Sequence, residues 1–184
     1  MENLVIIHGK PPKERYDNPD LPKPHKANWL PLVGSRIEAD GIPVAIPPMP
    51  APYFPVYDVW KPVFDAQPTT ERTGFVGHSA GADFLLRVFS EDKSRFAVVL
   101  ALAAPYRDIA GKYGDFSKYD LDRDLPERVG KLIIFNSLND TKAIQDNAHR
   151  LAAALPGSEL IELPDYGHFM TPDFPELYEA LINS

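Results

Sequence analysis

A short motif near the middle of the chain has the residue types and spacing that expose a serine hydroxyl for covalent chemistry. It reads Gly77-His78-Ser79-Ala80-Gly81 and matches G-x-S-x-G, in which the serine occupies a strained turn between a strand and a helix. An apolar strand pattern precedes the motif and an apolar helix pattern follows it. The other interpretation is a glycine-rich turn with a serine N-cap, which accounts for Ser79 and leaves both glycines unexplained.

A serine nucleophile needs a base, because its hydroxyl is weakly nucleophilic at neutral pH until a positioned group removes the proton. His168 is the best of the five histidines, since it lies in Tyr166-Gly167-His168-Phe169, after the last strand pattern and before the last helix pattern. A loop in that place lies at the carboxyl edge of a parallel sheet. His168 is therefore predicted to share an edge with Ser79.

The other four histidines are predicted to have other roles. His8 ends the first strand pattern and is interpreted as a structural residue that shapes the following loop. His78 is expected to point away from the serine that it precedes. His149 belongs to the solvated side of a helix, and His25 lies in a proline-rich loop that approaches the site without an evident partner.

The histidine in turn needs an acceptor that fixes its tautomer, and Asp140 follows the fifth strand pattern directly. As an alternative, Asp140 is an N-cap for a helix that begins near Thr141. The chain order Ser79, Asp140, His168 favours the catalytic interpretation, because α/β-hydrolase triads have that order. Asp165 is the second candidate for the acid, although formation of the turn at residues 165–167 is its expected role.

Two backbone N–H groups are predicted to form an oxyanion hole. One belongs to Ala80, the residue after the nucleophile. The second must come from the loop after the first strand, which reads Gly9-Lys10-Pro11-Pro12. The prolines have no N–H, so the choice is between Gly9 and Lys10, and we assign Lys10.

The elements that must position these residues are an alternating series of strands and helices. Continuous apolar runs rich in β-branched residues are typical of strands buried on both faces. Six strands are predicted, at Leu4–Ile7, Ile42–Ile46, Phe75-Val76, Phe96–Leu102, Leu132–Phe135 and Leu160–Leu163.

Such alternation predicts a three-layer α/β fold with a mainly parallel sheet and helices on both faces. Pro43 and Pro47 flank the second strand, which therefore belongs at an edge. The order 2-1-3-4-5-6 satisfies this condition. It also puts the topological switch point, where ligands bind, between strands 1 and 3.

The helix patterns are less uniform than the strand patterns. Asn28 is predicted to cap a helix that Gly41 ends. Pro62 limits another helix to one that starts near Asp58, with the proline in or near its first turn. Further helices are predicted after Ser79, over Ile144–Leu155 and over Phe174–Ile182.

Length and composition predict one domain over residues 1–184. The net charge of −7 argues against nucleic acid as a partner, and the absence of cysteine excludes disulfides and thiolate metal sites. The first ten residues, MENLVIIHGK, have an apolar run too short for a signal peptide or a membrane span. We therefore expect a cytoplasmic protein with no membrane association, no cofactor and no metal.

These motifs resemble the small α/β-hydrolase-fold serine hydrolases that include the retinoblastoma-binding-protein hydrolases and their bacterial relatives. The resemblance covers nearly the whole chain and rests on Ile6-Ile7-His8-Gly9, Asn28-Trp29-Leu30-Pro31, Pro48-Met49-Pro50, Trp60, Gly77-His78-Ser79-Ala80-Gly81, Asn139-Asp140 and Gly167-His168-Phe169. It implies a minimal sheet without the first strands of larger hydrolases, a Ser79–Asp140–His168 triad and no cofactor. Substrates in that group are expected to be small esters and amides.

Two segments concern the entrance to the site. The proline-rich loop Lys10–Lys26 is longer than its counterpart in that group, so its role is left open. The segment Pro105–Arg128 has room only for a loop and a short helix, which argues against a large lid.

The predicted function is a serine hydrolase of carboxylesterase or amidase/aminopeptidase type that cleaves a small ester, amide or thioester through an acyl-enzyme. The alternative is a protein-binding module of the same fold with residual or no catalysis. Rigid prolines between Pro47 and Pro55, near the predicted cleft, motivate that alternative. The sequence neither requires nor excludes a protein partner, and it leaves the acyl and leaving groups open.

Overall fold

A parallel sheet of six strands forms the centre of the computed structural model, which describes residues 1–107, 111 and 113–184. The strand order is 2-1-3-4-5-6, as predicted, and every neighbouring pair is parallel. The short second strand lies at an edge, which confirms the argument from its flanking prolines. The strands are β1 (Asn3–Ile7), β2 (Val44–Ala45), β3 (Thr73–His78), β4 (Ala97–Ala103), β5 (Val129–Ser137) and β6 (Glu159–Leu163).

Helices connect the strands and cover both faces of the sheet. They are α1 (Lys13–Asp17), α2 (Leu30–Ala39), α3 (Tyr57–Asp65), α4 (Ala80–Glu91), α5 (Lys142–Ala154) and α6 (Pro175–Ile182), with 3-10 turns at Pro24–Lys26 and Leu125–Arg128. Within the described residues, no helix is both long and apolar enough to cross a lipid bilayer.

The core has two halves, one on each face of the sheet, because successive strand side chains point to opposite faces. In β1, Val5 and Ile7 join the half that α3 and α4 cover, whereas Leu4 and Ile6 join the half that α2 and α6 cover. All four side chains are fully buried. A strand buried on both faces needs apolar residues throughout, and the continuous runs in the sequence meet that need.

Two local details of the helices differ from prediction. Helix α3 begins at Tyr57, one residue from the predicted start near Asp58, but Pro62 lies inside the helix, beyond its first turn. Burial of Trp60 and Phe64 compensates for the backbone hydrogen bond that Pro62 cannot donate. Helix α2 has Trp29 at its N-cap position, whereas Asn28 adopts a positive φ of 56° and donates from Nδ2 to Met170 Sδ at 3.3 Å.

The two segments at the entrance have some regular structure. Lys10–Lys26 contains helix α1 and the turn Pro24–Lys26, which the sequence patterns did not predict. The segment Pro105–Arg128 contains the short 3-10 helix at Leu125–Arg128, and its residues 108–110 and 112 lie outside the described part of the chain.

Candidate active site

The carboxyl ends of three strands bring the candidate residues together. Ser79 follows β3 directly, while Asp140 and His168 lie in the loops after β5 and β6. Nε2 of His168 lies 2.8 Å from Ser79 Oγ, and Nδ1 of His168 lies 2.7 Å from Asp140 Oδ2. Since a carboxylate only accepts, Nδ1–H donates to Asp140 and the bare Nε2 accepts from the serine hydroxyl. The arrangement can remove the serine proton and hold the imidazolium that forms.

The turn at Ser79 has the strained backbone that an exposed nucleophile requires. Its φ is 54° and its ψ is −116°, and its side chain makes no capping hydrogen bond to α4. The N-cap interpretation therefore fails for this serine. A Cβ on Gly77 would lie 2.5 Å from Cα of Ala82, and a Cβ on Gly81 would overlap the carbonyl oxygen of Ile7. Both flanking glycines are thus required by close backbone contacts.

Asp140 faces the base and is not the N-cap of α5, because Thr141 occupies that position. Its Oδ1 accepts a hydrogen bond from the backbone N–H of Thr141 at 2.6 Å, just before α5, while Oδ2 faces His168. Its side chain is 4% exposed, so the pair with His168 is shielded from water on the carboxylate side. Asp165 lies beside Asn139 and accepts a hydrogen bond from its Nδ2.

The assigned oxyanion donors belong to the residue that follows Ser79 and to the loop after β1. Ala80 is the first residue of α4, where N–H groups lack partners within the helix. Lys10 lines the same cavity as Ser79. In the described part of the chain, neither N–H donates to another protein group, so both are available to an incoming oxygen. Gly9 allows the close approach, because a Cβ there would lie 3.1 Å from Cβ of Ser79.

Known structures share this arrangement of strands and helices. The ydeN gene product of B. subtilis has a TM-score of 0.80 and 20% identity, over 100% of this chain and 98% of that one. The chain has the α/β-hydrolase fold. A methylesterase, MES16 from Arabidopsis, has a TM-score of 0.63 and 11% identity, over 100% of this chain and 98% of that one.

A third α/β-hydrolase structure is the carboxylesterase CesB from Bacillus subtilis, with a TM-score of 0.59 and 11% identity over 98% of this chain and 82% of that one. No protein-family model and no curated protein matches the sequence. None of these three names points to the retinoblastoma-binding-protein hydrolases, so that narrower resemblance stays a prediction.

Within this α/β-hydrolase fold, His8 supports the loop that contains Lys10. Its Nδ1–H donates to the carbonyl of Gly9 at 2.9 Å, and its Nε2 accepts from the N–H of Met49 at 3.1 Å. Burial lowers the pKa of His8 to about 4, so the ring is neutral at pH 7. The geometry agrees with the structural role predicted for it.

His78 has a role that the sequence did not suggest. The ring is buried, and its Nε2–H donates to the backbone carbonyl of His168 at 2.8 Å. Burial, and next the nearby His168, lower the pKa of His78 to about 4. The residue before the nucleophile therefore fixes the loop that positions the base. Only the fold brings these two residues, ninety positions apart, into contact.

The remaining histidines take no part in the hydrogen-bonded chain of Ser79, His168 and Asp140. His149 is exposed on α5, and its Nε2 lies 3.0 Å from Glu162 Oε1. The His25 ring centroid lies 6.4 Å from that of His8, at the edge of the site. Among the described residues, no cluster of three or more metal-ligating side chains occurs.

A cavity of about 220 Å³ opens beside Ser79. It is bounded by the loop after β1, by the start of α2, and by His168 and Met170. Pockets for drug-sized ligands enclose roughly 300–1,000 Å³, so this cavity suits a smaller molecule. Prolines form much of the wall, namely Pro11, Pro12 and Pro24.

Proposed function

We propose that the protein is a serine hydrolase that cleaves a small ester, amide or thioester through an acyl-enzyme on Ser79. The observation that carries the proposal is the continuous hydrogen-bonded chain from Ser79 Oγ through the His168 ring to Asp140. Names of similar structures, including a methylesterase and a carboxylesterase, support the same reaction class. The small cavity favours a small substrate.

In the first half of the proposed reaction, Ser79 Oγ attacks the carbonyl carbon while its proton passes to Nε2 of His168. Asp140 stabilises the imidazolium through its hydrogen bond to Nδ1. The tetrahedral oxyanion accepts from the N–H groups of Lys10 and Ala80, each worth roughly 3 kcal/mol of transition-state stabilisation. The carbon–leaving-group bond then breaks, and the leaving group takes the proton from Nε2.

In the second half, His168 removes a proton from water, and the hydroxide attacks the acyl carbonyl. The bond from carbon to Ser79 Oγ breaks, and Oγ regains its proton from Nε2. Each cycle consumes one water and releases an acid and an alcohol, amine or thiol. No cofactor enters this balance.

The alternative is a protein-binding module with residual or no catalysis. A binding module has no physical need for an imidazole held between a serine and a buried carboxylate. The 2.8 Å separation of His168 Nε2 from Ser79 Oγ therefore supports the enzyme. A module of that kind would also tolerate loss of Ser79 without loss of its activity.

Labelling with a fluorophosphonate tests the proposal, because an activated serine attacks the phosphorus of the probe, forms a phosphonate ester and releases fluoride. We expect one label per chain, on the peptide that contains Ser79, and no label in Ser79→Ala. Ser35→Ala removes an exposed serine of α2 and serves as the matched control, with labelling as in the wild type. A wild-type protein that stays unlabelled would contradict the proposal. A panel of p-nitrophenyl esters and aminoacyl amides then separates esterase from amidase activity.

A further inference from the structure

We infer that the substrate of this site carries a carboxylate a few bonds from its scissile carbonyl, and that Arg15 and Lys10 bind it. The inference rests on the proposed hydrolase function and specifies its substrate class. The observation behind it is the charge of the cavity beside Ser79, which differs from the charge of the whole chain. The chain has a net charge of −7, whereas the described residues that line the cavity include Lys10 and Arg15 and no Asp or Glu.

Arg15 is partly buried in the cavity wall and has no carboxylate partner among the described residues. Four other partly buried or buried arginines of the described chain do have such partners. Those ion pairs are Arg36–Asp173, Arg87–Glu91, Arg95–Asp65 and Arg128–Asp122. In α1, Asp17 pairs with Lys13, and Glu14 forms no ion pair with Arg15 in the described chain. Arg15 thus keeps its guanidinium donors for a ligand.

Lys10 supplies the second charge. Its ammonium lies 4.8 Å from the centroid of the Tyr113 ring, and no carboxylate of the described chain pairs with it. Its own backbone N–H is the assigned oxyanion donor. The ammonium thus belongs to the same residue as the assigned oxyanion donor, and its positive charge favours the approach of an anionic substrate.

The other residues of the cavity wall favour a strong interaction between these two charges and a carboxylate. Pro11, Pro12 and Pro24 have apolar rings and no N–H groups, so they add apolar surface beside the two charged side chains. An ion pair in a less polar environment is stronger than one in water. The planar guanidinium of Arg15 matches the two oxygens of a carboxylate. The small cavity restricts the substrate to a short chain between the carboxylate and the scissile group.

Paired substrates test the inference. Monoethyl glutarate and ethyl valerate have acyl chains of the same length and differ in the terminal carboxylate. We expect the wild-type protein to hydrolyse the anionic ester with a higher kcat/KM. In Arg15→Gln the ratio of the two kcat/KM values should fall about 10- to 100-fold, the usual effect of losing a hydrogen bond to a charged group.

Three further variants sharpen the result. Arg15→Lys should retain part of the ratio because it keeps the charge, and Arg15→Glu should lower it below that of Arg15→Gln. Lys13→Gln removes the same charge from the same short helix without touching the cavity, so it should keep the wild-type ratio. A wild-type ratio near one, or equal ratios in the wild type and Arg15→Gln, would overturn the inference.

Separate experiments test the anion site and the proposed hydrolase function. Fluorophosphonate labelling of Ser79 reports on the hydrolase alone. Binding of monoethyl glutarate to Ser79→Ala, measured by calorimetry, reports on the anion site without turnover. We expect Ser79→Ala to bind this ester more tightly than ethyl valerate, and the double variant with Arg15→Gln to lose the difference. Equal binding of the two esters would contradict the anion site even where labelling succeeds.

Discussion

The His78 ring donates a hydrogen bond from Nε2 to the backbone carbonyl oxygen of His168, at 2.8 Å. His78 immediately precedes Ser79, so this bond joins the turn of the nucleophile to the loop of the base. The two rings lie 5.3 Å apart between centroids. We expect this hydrogen bond to fix the position of the His168 ring relative to Ser79 Oγ.

Removing this donor should slow the chemical step. In His78→Leu, the carbonyl of His168 loses its buried partner and the loop shifts. A displacement of about 1 Å at a reacting group can cost roughly 100-fold in rate. We expect kcat to fall by about that factor with a smaller change in KM, and His78→Gln, which keeps an N–H donor, to recover part of the loss. Equal kcat values in His78→Leu and the wild type would contradict this positioning role.

Asn139 should be a second positioning residue. Its Oδ1 accepts from the N–H of Gly167 and from the hydroxyl of Ser137, both at 2.7 Å, and its Nδ2 donates to Asp165. It thus connects the loop of Asp140 to the loop of His168. We expect Asn139→Ala to lower kcat about tenfold, measured by steady-state kinetics. Asn183→Ala, at the end of α6, is the control and should match the wild type.

Gly81, the second glycine of the nucleophile motif, should not tolerate a side chain. A Cβ on Gly81 would overlap the carbonyl oxygen of Ile7 and lie 2.7 Å from that of His8. We expect Gly81→Ala to lower the free energy of unfolding by about 3 kcal/mol, measured with urea.

Gly34 of α2 provides the matched control. A Cβ there would lie 3.3 Å from the movable Cδ1 of Ile46, and alanine favours a helix by up to about 1 kcal/mol over glycine. We expect Gly34→Ala to remain within about 1 kcal/mol of the wild type. Equal free energies of unfolding for Gly81→Ala and Gly34→Ala would contradict this prediction, because they would mean that the backbone around Ser79 moves to accommodate the added Cβ.

Acid should destabilise the fold through His78. Its pKa of about 4 in the folded chain lies below the ordinary 6.5, so the unfolded chain binds the proton first. Stability is therefore complete above pH 6.5 and is lost as the pH falls from 6.5 to 4. In His78→Leu, the loss of unfolding free energy between about pH 7 and about pH 4.5 should be smaller by roughly 2–3 kcal/mol.

Asp83 should act in the opposite direction. Burial raises its pKa from 3.8 to about 6, despite hydrogen bonds from Ser117 and Tyr119. The folded chain holds this proton more tightly, so the contribution of Asp83 to stability is lost as the pH rises from 3.8 through 6. Asp83→Asn should therefore lose about 2 kcal/mol more than the wild type on acidification over the same range. Urea unfolding at the two pH values measures both variants, and changes of equal sign would contradict the assignment.

The sequence predicts those parts of the fold and site that require a particular residue type at a particular place. A strand buried on both faces must be apolar throughout, so β1 and β3 to β5 were visible as runs, and prolines marked β2 as an edge. Ser79, Asp140 and His168 were each recognisable from a place at a strand end. In the structure, one hydrogen bond joins Ser79 to His168 and a second joins His168 to Asp140.

The parts that sequence could not predict depend on contacts between distant segments. Helix α1 has five residues, too few to be stable alone, and gives no periodic signal. Pro62 remains inside α3 because Trp60 and Phe64 are fully buried against the sheet. The bond from His78 to His168 and the place of Arg15 in the cavity wall also need the folded chain. Local propensity does not contain that information.

The central claim is that Ser79 forms an acyl-enzyme, and rapid-quench mass spectrometry with p-nitrophenyl acetate tests it most directly. We expect a burst of p-nitrophenol and an acetyl group on the Ser79 peptide, with His168→Ala slowing the burst and Ser79→Ala abolishing acetylation and turnover together. A Ser79→Ala protein that hydrolyses the ester at the wild-type rate would contradict the account.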